Sequence, residues 1–164
     1  MPRLSNDDLK PLEKSPILAY FSNRYQLIDI IVWVLDQIGP ADMTISTFST
    51  SEEFVRRLWR LKKFSRILTC GLFCDLRAIR KTLALYHIMT NVFDSVRLCE
   101  NHSKVVLLQN ESHSVAIVTS QNQTRGDRYE AGVITTCPHT VNQLRRGFDA
   151  MMQHSVSINA IKPY

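Results

Sequence analysis

Apolar positions return every three to four residues over 24–38, RYQLIDIIVWVLDQI, and place Leu27, Ile28, Ile31, Val34 and Leu35 on one helical face. Gly39-Pro40 is the stop. Residues 43–48, MTISTF, alternate and predict a strand. In STSEEFVRRLWRLKKF, Thr50 or Ser51 can cap a helix whose first turn is acidic and whose last turn is basic. RILTCGLF (66–73) predicts a buried strand, and Asp75 caps a long helix over roughly 76–91. Strands follow at 95–100, at KVVLLQ, at VAIVTS and at 129–136. Pro138 suits the first turn of a final helix. The tail, 155–164, predicts one last extended piece.

Helices alternate with strands and then give way to a cluster of strands, which predicts a mixed α/β sandwich of layers. Residues 1–20 carry Pro2, Pro11 and Pro16 without a clear period and read as an N-terminal arm. Residues 21–164 read as one domain, with no repeat, low-complexity segment or internal linker.

The segment NHSKVVLLQNESHSVAIVTSQN (101–122) needs a second explanation. Its two apolar runs are bracketed by His102 and Lys104 at one end and by Ser120 and Asn122 at the other. Residues two apart in an extended chain share a face. A three-residue loop, Glu111 to His113, would set Lys104 opposite Ser120 and His102 opposite Asn122. A loop of two or four residues would turn the pairs to opposite faces. Together the four groups suit a phosphodiester: Lys and Asn donate to its non-bridging oxygens. Imidazole serves as nucleophile or base near neutral pH. The competing reading makes His102 and Lys104 ordinary strand-edge surface residues.

Composition narrows the choice. The 164 residues are 45% hydrophobic and 21% charged, ordinary for a globular chain. No apolar run is long enough to span a bilayer, and MPRLSNDDLK does not read as a secretory signal, so the expected location is cytoplasmic with no membrane partner. Four cysteines without CxxC spacing read as buried free thiols, and no metal site is expected. A net charge of +5 is compatible with a polyanionic partner.

The bracketed segment resembles the signature of the phospholipase D superfamily, His-x-Lys-x4-Asp followed by Gly-Ser-x-Asn. Here it reads H-S-K-V-V-L-L-Q, then T-S-Q-N, with Glu130 as the acid that follows. The likeness is sharp over about 101–134 and extends more loosely over 24–154. It implies a phospholipase D-like mixed β-sheet flanked by helices on both faces. It also implies that His102 forms a phosphohistidine or acts as its acid/base counterpart. Lys104 and Asn122 would hold phosphate oxygens, Ser120 would support the pocket, and Glu130 would orient an imidazole. No metal or cofactor is needed. Gln109 stands in place of the family's Asp and Thr119 in place of its Gly, which adds a side chain beside the pocket.

The family's two-step chemistry uses two motifs, and this chain has one His-x-Lys. The resemblance therefore implies a homodimer with the site at its seam. Arg125 and Arg128, just after the motif, are the candidates for touching a nucleic-acid strand, with DNA favoured. The basic run Arg56, Arg57, Arg60, Lys62, Lys63 and Arg66 reads first as a solvated helix face, and Trp33 and Trp59 as core. The leading expectation is a metal-independent phosphodiesterase or nuclease. The alternative is a catalytically impaired module that binds nucleic acid or assembles with partners without turnover.

Overall fold

The structure, a computed structural model, describes residue 4, residues 9–124 and residues 126–161. Eight strands form one mixed sheet in the order β1-β7-β6-β5-β2-β3-β4-β8. They are β1 (Ile17–Ser22), β2 (Ala41–Thr47), β3 (Ile67–Asp75), β4 (Ser95–Cys99), β5 (Val105–Gln109), β6 (Ser114–Thr119), β7 (Glu130–Thr135) and β8 (Val156–Ser157). The β2–β3 and β3–β4 pairs are parallel and the others antiparallel.

Helices cover both faces. On one side lie α1 (Leu27–Ile38), α2 (Glu52–Lys63) and the short α3 (Ile79–Ala84) and α4 (Tyr86–Met89). The main core lies between the first two and the sheet, with Ile31, Leu58, Ile45, Leu72, Val106 and Ile117 fully buried. On the other side α5 (Pro138–His154) lays Val141 and Phe148 against Phe73, Val105, Leu107 and Ala116. This double cover explains the unbroken apolar run VVLL: a strand buried on both faces has no polar side to alternate with.

Local chemistry sets the helix ends. Gln26 and Asp29 form a reciprocal capping box at α1, and Gly39 takes φ 80° beyond its last turn. The Ser51 hydroxyl accepts from Phe54 N at the start of α2. Pro138 occupies the first turn of α5.

Four expectations are corrected. Ile17–Ser22, largely within the segment read as an arm, is an edge strand paired along β7, and Leu9 and Leu12 are buried in the core. Residues 1–3 and 5–8 of that arm, and 162–164 of the tail, lie outside the described residues. The single helix expected over 76–91 is broken into a 3₁₀ turn, α3 and α4. There the Thr82 hydroxyl donates back to Ala78 O, a bond that bends helices, and Leu85 N turns to Thr82 O.

The β5–β6 turn has four residues, not three, since Gln109 pairs with Ser114. Asn110 makes the difference: its side-chain oxygen accepts from Ser112 N and His113 N, and its amide donates to Ile38 O and Pro40 O. Finally, Trp33 is buried but Trp59 is 42% exposed, with Lys63 Nζ 5.0 Å from its ring centre.

Candidate functional site

The four-residue turn sets Lys104 opposite Thr119, whose amide donates to Lys104 O at 3.0 Å. Strict alternation would then part Lys104 from Ser120. Regular pairing with β5, however, ends at this point. Gln121 N folds back onto the Thr119 hydroxyl, and Ser120 N bonds Ala131 O of β7. Beyond it the chain alternates on its own terms: Thr119, Gln121 and Gln123 are buried, while Ser120 is exposed and Asn122 half-buried. Gln121 Nε2 is tied to Tyr25 O, and Gln123 O receives both Ser51 N and the Ser51 hydroxyl. Ser120 and Asn122 thus share the outward side, as their spacing predicts.

The His-x-Lys turn is pinned from beneath. Asn101 is buried; its amide N–H donates to Asp75 Oδ2, and its side chain donates to Thr47 O and Phe73 O. Its Oδ1 accepts from both the backbone N and the hydroxyl of Ser103, which in turn bonds the Ser46 hydroxyl at 2.7 Å. Such buried, satisfied networks hold a loop in one geometry. Above them His102 is exposed and Lys104 half-buried. Lys104 Nζ donates to His102 O at 2.7 Å and lies 3.3 Å from His102 Nδ1. Among the described residues none bonds His102 Nε2.

Glu130 joins the two sides of the patch. Its carboxylate accepts from the Ser120 hydroxyl, which itself accepts from Ala131 N, and its charge acts on Lys104. Burial pushes the Lys104 ammonium below its ordinary pKa, and Glu130 pulls the other way. Glu130 makes no bond to His102 among the described residues. Asn122 Oδ1 stands 3.5 Å from the Thr47 hydroxyl, at the end of β2. The imidazole of His102 packs against the next residue, Phe48, with ring centres 5.5 Å apart. Asn122 bonds neither His102 nor Lys104.

The remaining sequence candidates separate. Arg128 is exposed, two residues before Glu130. Arg125 lies outside the described residues. Gln109 is at the opposite end of β5 from Lys104, five residues or about 17 Å away. There it accepts from Arg145 Nη2 at 2.8 Å. Glutamine at the family's Asp position therefore takes nothing from the histidine's surroundings. Most of the basic run on α2 and just beyond it is engaged: Arg56 with Glu52, Arg57 with Asp29, Lys62 with Asp94 and Arg66 with Asp36.

Sequence reasoning missed Phe48, Asp75, Arg77 and Asn101. Asp75 and Arg77, two apart at the end of β3, form an ion pair at 3.1 Å, and Arg77 also lies 5.7 Å from the Phe48 ring centre. The available signal was the Asp-x-Arg at a predicted strand end.

The topology now decides the architecture. The chain has the phospholipase D-like fold. It is similar over 86% of its length to 96% of a phospholipase D family member, Nuc from Salmonella typhimurium, with TM-score 0.68 and 16% identity. NucT from Helicobacter pylori matches with TM-score 0.65 and 14% identity, covering 87% of this chain and 98% of that one. The chain is also similar, over 92% of its length, to 56% of TrmBL2, an archaeal chromatin protein whose structure shows a novel mode of DNA binding, with TM-score 0.58 and 6% identity. No protein-family model matches the chain, and no curated protein matches it in sequence. One fold hosts unrelated activities, so function resides in the site and not in the fold. Among the described residues no helix is long and apolar enough to cross a membrane.

Proposed function

We propose that the chain is a metal-independent phosphodiesterase, acting on nucleic acid through a phosphohistidine at a site completed by a second copy of itself. The observation that carries this reading is the exposed imidazole of His102 with Lys104 Nζ 3.3 Å from its Nδ1 and no described partner on Nε2. In the resting arrangement Lys104 donates toward Nδ1, which leaves the proton of the neutral ring on Nε2; the acid that protonates a leaving group is the imidazolium, with a proton on both nitrogens. When a phosphate draws Lys104 Nζ onto its oxygens, Nδ1 is released to carry the proton and Nε2 gains the lone pair that attacks.

The steps balance with two histidines. Nε2 of one His102 forms a bond to phosphorus, the P–O bond to the leaving group breaks, and His102 of the second copy, as imidazolium, gives its proton to the departing oxygen and becomes neutral imidazole. That second imidazole then takes a proton from water, which attacks phosphorus and breaks the P–N bond. Lys104 and Asn122 neutralise the non-bridging oxygens, Ser120 and Glu130 hold the patch together, and Arg125 and Arg128 steer the strand. Cytoplasmic DNA is the favoured substrate.

A sheet face left open supports the two-copy site. α5 packs on β4–β6 but leaves the outer strands uncovered: Ile17, Phe21, Val118, Val133 and Tyr129 are all exposed. Val118 and Val133 pair directly, and the Phe21 and Tyr129 rings stand 5.6 Å apart. Such a patch beside Ser120 suits burial against another subunit. A non-catalytic module that only binds nucleic acid is the second reading, supported by the same fold in a chromatin protein.

The test is hydrolysis of bis(p-nitrophenyl) phosphate and of single- and double-stranded DNA in EDTA, by the protein and by His102→Ala. Turnover that survives chelation and disappears in the variant is the expected result. Binding without turnover, equal in both proteins, would assign the chain to the second reading.

A further inference from the structure

The chain holds one arginine in a setting that the proposed chemistry does not use. Arg77 is 73% exposed, yet its root is fixed by a carboxylate that is completely buried. Asp75 Oδ1 accepts from Arg77 N at 2.8 Å and from Arg77 Nε at 3.1 Å. The other oxygen, Oδ2, receives Asn101 N, at the start of the His-x-Lys turn. One carboxylate therefore sets the positions of Arg77 and of the segment that carries His102.

The ring of Phe48 fixes the outer part. The Arg77 guanidinium carbon lies 5.7 Å from the Phe48 centroid, and the His102 ring lies 5.5 Å from the same centroid. Guanidinium and imidazole are thus lodged against one aromatic side chain. Only Nε of the guanidinium is hydrogen-bonded, and the charge of Glu100 acts on the group as well. Among the described residues none bonds either terminal amino group, so the planar fork that suits a phosphate is available. Both the Asp75 pair and the Phe48 contact restrict a side chain that would otherwise sweep solvent, which lowers the entropic cost of binding an anion.

We infer that Arg77 forms a second phosphate subsite beside His102 and takes the phosphate next to the scissile one in a nucleic-acid strand. The inference rests on the phosphodiesterase reading for which phosphate His102 attacks. The substrate it selects is an oligonucleotide over a compound with a single phosphodiester. An arginine that serves only as the partner of Asp75 would have no need of an exposed fork. Its replacement would act only by loosening Asn101, and so would affect every substrate alike.

The experiment compares the protein with Arg77→Ala and Arg77→Lys. One arm measures kcat/KM on bis(p-nitrophenyl) phosphate and on a single-stranded oligodeoxynucleotide. The expected loss in Arg77→Ala is about 10-fold or more greater on the oligonucleotide than on the small substrate. The other arm measures binding of a fluorescently labelled oligonucleotide against salt. The slope of log K on log[salt] should shrink by about 0.7 in Arg77→Ala, the contribution of one phosphate contact on a single strand, and be kept in Arg77→Lys. Equal losses on both substrates, an unchanged slope, or no binding of the oligonucleotide by the parent protein would overturn the subsite. Binding that depends on Arg77 with no turnover would instead remove the phosphodiesterase reading and leave the subsite standing.

Discussion

The hydroxyl of Thr119 and the phenol of Tyr20 share a buried hydrogen bond of 2.6 Å between β6 and β1. Thr119 occupies the position of the resembled motif's glycine, where the resemblance places its side chain beside the pocket. Instead it is buried, donates to Ala131 O and accepts from Gln121 N. Its own hydrogen being directed to Ala131 O, Tyr20 is the donor. Gly132 makes the room: a Cβ there would come within 2.5 Å of the Tyr20 ring. Burial raises the Tyr20 pKa, the Thr119 bond lowers it in part, and Glu130 raises it, which keeps the phenol neutral.

The pair should behave as a unit. Thr119→Val leaves a buried phenol without its acceptor and should cost about 1–3 kcal/mol. Tyr20→Phe leaves the Thr119 hydroxyl its other two partners and should cost about 1 kcal/mol. In the double variant the costs should be less than additive, since both ends are then apolar. Urea unfolding of the four proteins measures the coupling. Activity per folded molecule of Thr119→Val should stay within about twofold, because the side chain faces Tyr20 and not the substrate.

These details mark the boundary of what could be read from the chain. α1 and α2 were legible because their caps and apolar periods are local: Gln26 with Asp29, Ser51 with Phe54, and Gly39. The run VVLL was legible as buried sheet because two helical layers demand it. The four-residue turn was not, because Asn110 is held by Ile38 O and Pro40 O, far off in sequence. The edge strand was hidden because Pro11 and Pro16 break the local pattern, while its stability comes from β7. His102, Lys104, Ser120 and Asn122 stood out by spacing. Asp75 and Arg77 did not, because their importance lies in Asn101 and Phe48, which only the fold brings to them.

Lys104 should set the alkaline limit of activity. To hold a phosphate it must be charged, and burial places its pKa below the ordinary lysine value. Turnover should therefore fall as pH rises through that lowered pKa. Glu130→Gln removes the charge that opposes the shift, so the limb should move to lower pH. Lys104→Ala should lose about 10²–10³ in kcat at every pH. Rates on bis(p-nitrophenyl) phosphate against pH for the three proteins check both statements.

Asp75 should make stability fall in acid. Burial alone would raise its pKa, but bonds from Arg77 and Asn101 prevail and hold the folded value below the ordinary one. A carboxyl lowered in the folded state stabilises fully above the unfolded pKa, about 3.9, and loses that contribution as pH falls through the folded value. The Tm of the protein should drop across this acid window. The Asp75→Asn curve should be lower at neutral pH and flatter below about pH 4. A parallel pair of curves would assign the acid loss to other carboxyls.

If the site is completed by a second copy, as proposed, the open sheet face is where that copy should sit. Val133 lies at its centre, between Ala19 and Val118 on the neighbouring strands. Val133→Glu should therefore convert a dimer into a folded monomer by light scattering and abolish turnover, since each site would lack its second imidazole. A dimer that survives this charge would place the interface elsewhere.

The four cysteines should differ sharply in reactivity. All are free, but Cys70, Cys74 and Cys99 are buried and Cys137 is half-exposed. Burial raises the thiol pKa of the first three, that of Cys74 to about 12. Cys137, just before α5, is lowered instead: the backbone and side chain of Thr140 supply hydrogen bonds, against a small opposing effect of burial, and His139 N–H adds to them. The thiolate is the nucleophile, so limiting iodoacetamide near neutral pH should label Cys137 first, as peptide mass spectrometry would read. Cys137→Ser should remove that fast phase, and denaturant should bring the other three thiols up to a common rate. Early labelling of Cys70 or Cys74 would mean that the sheet between α2 and α5 opens more readily than its packing implies.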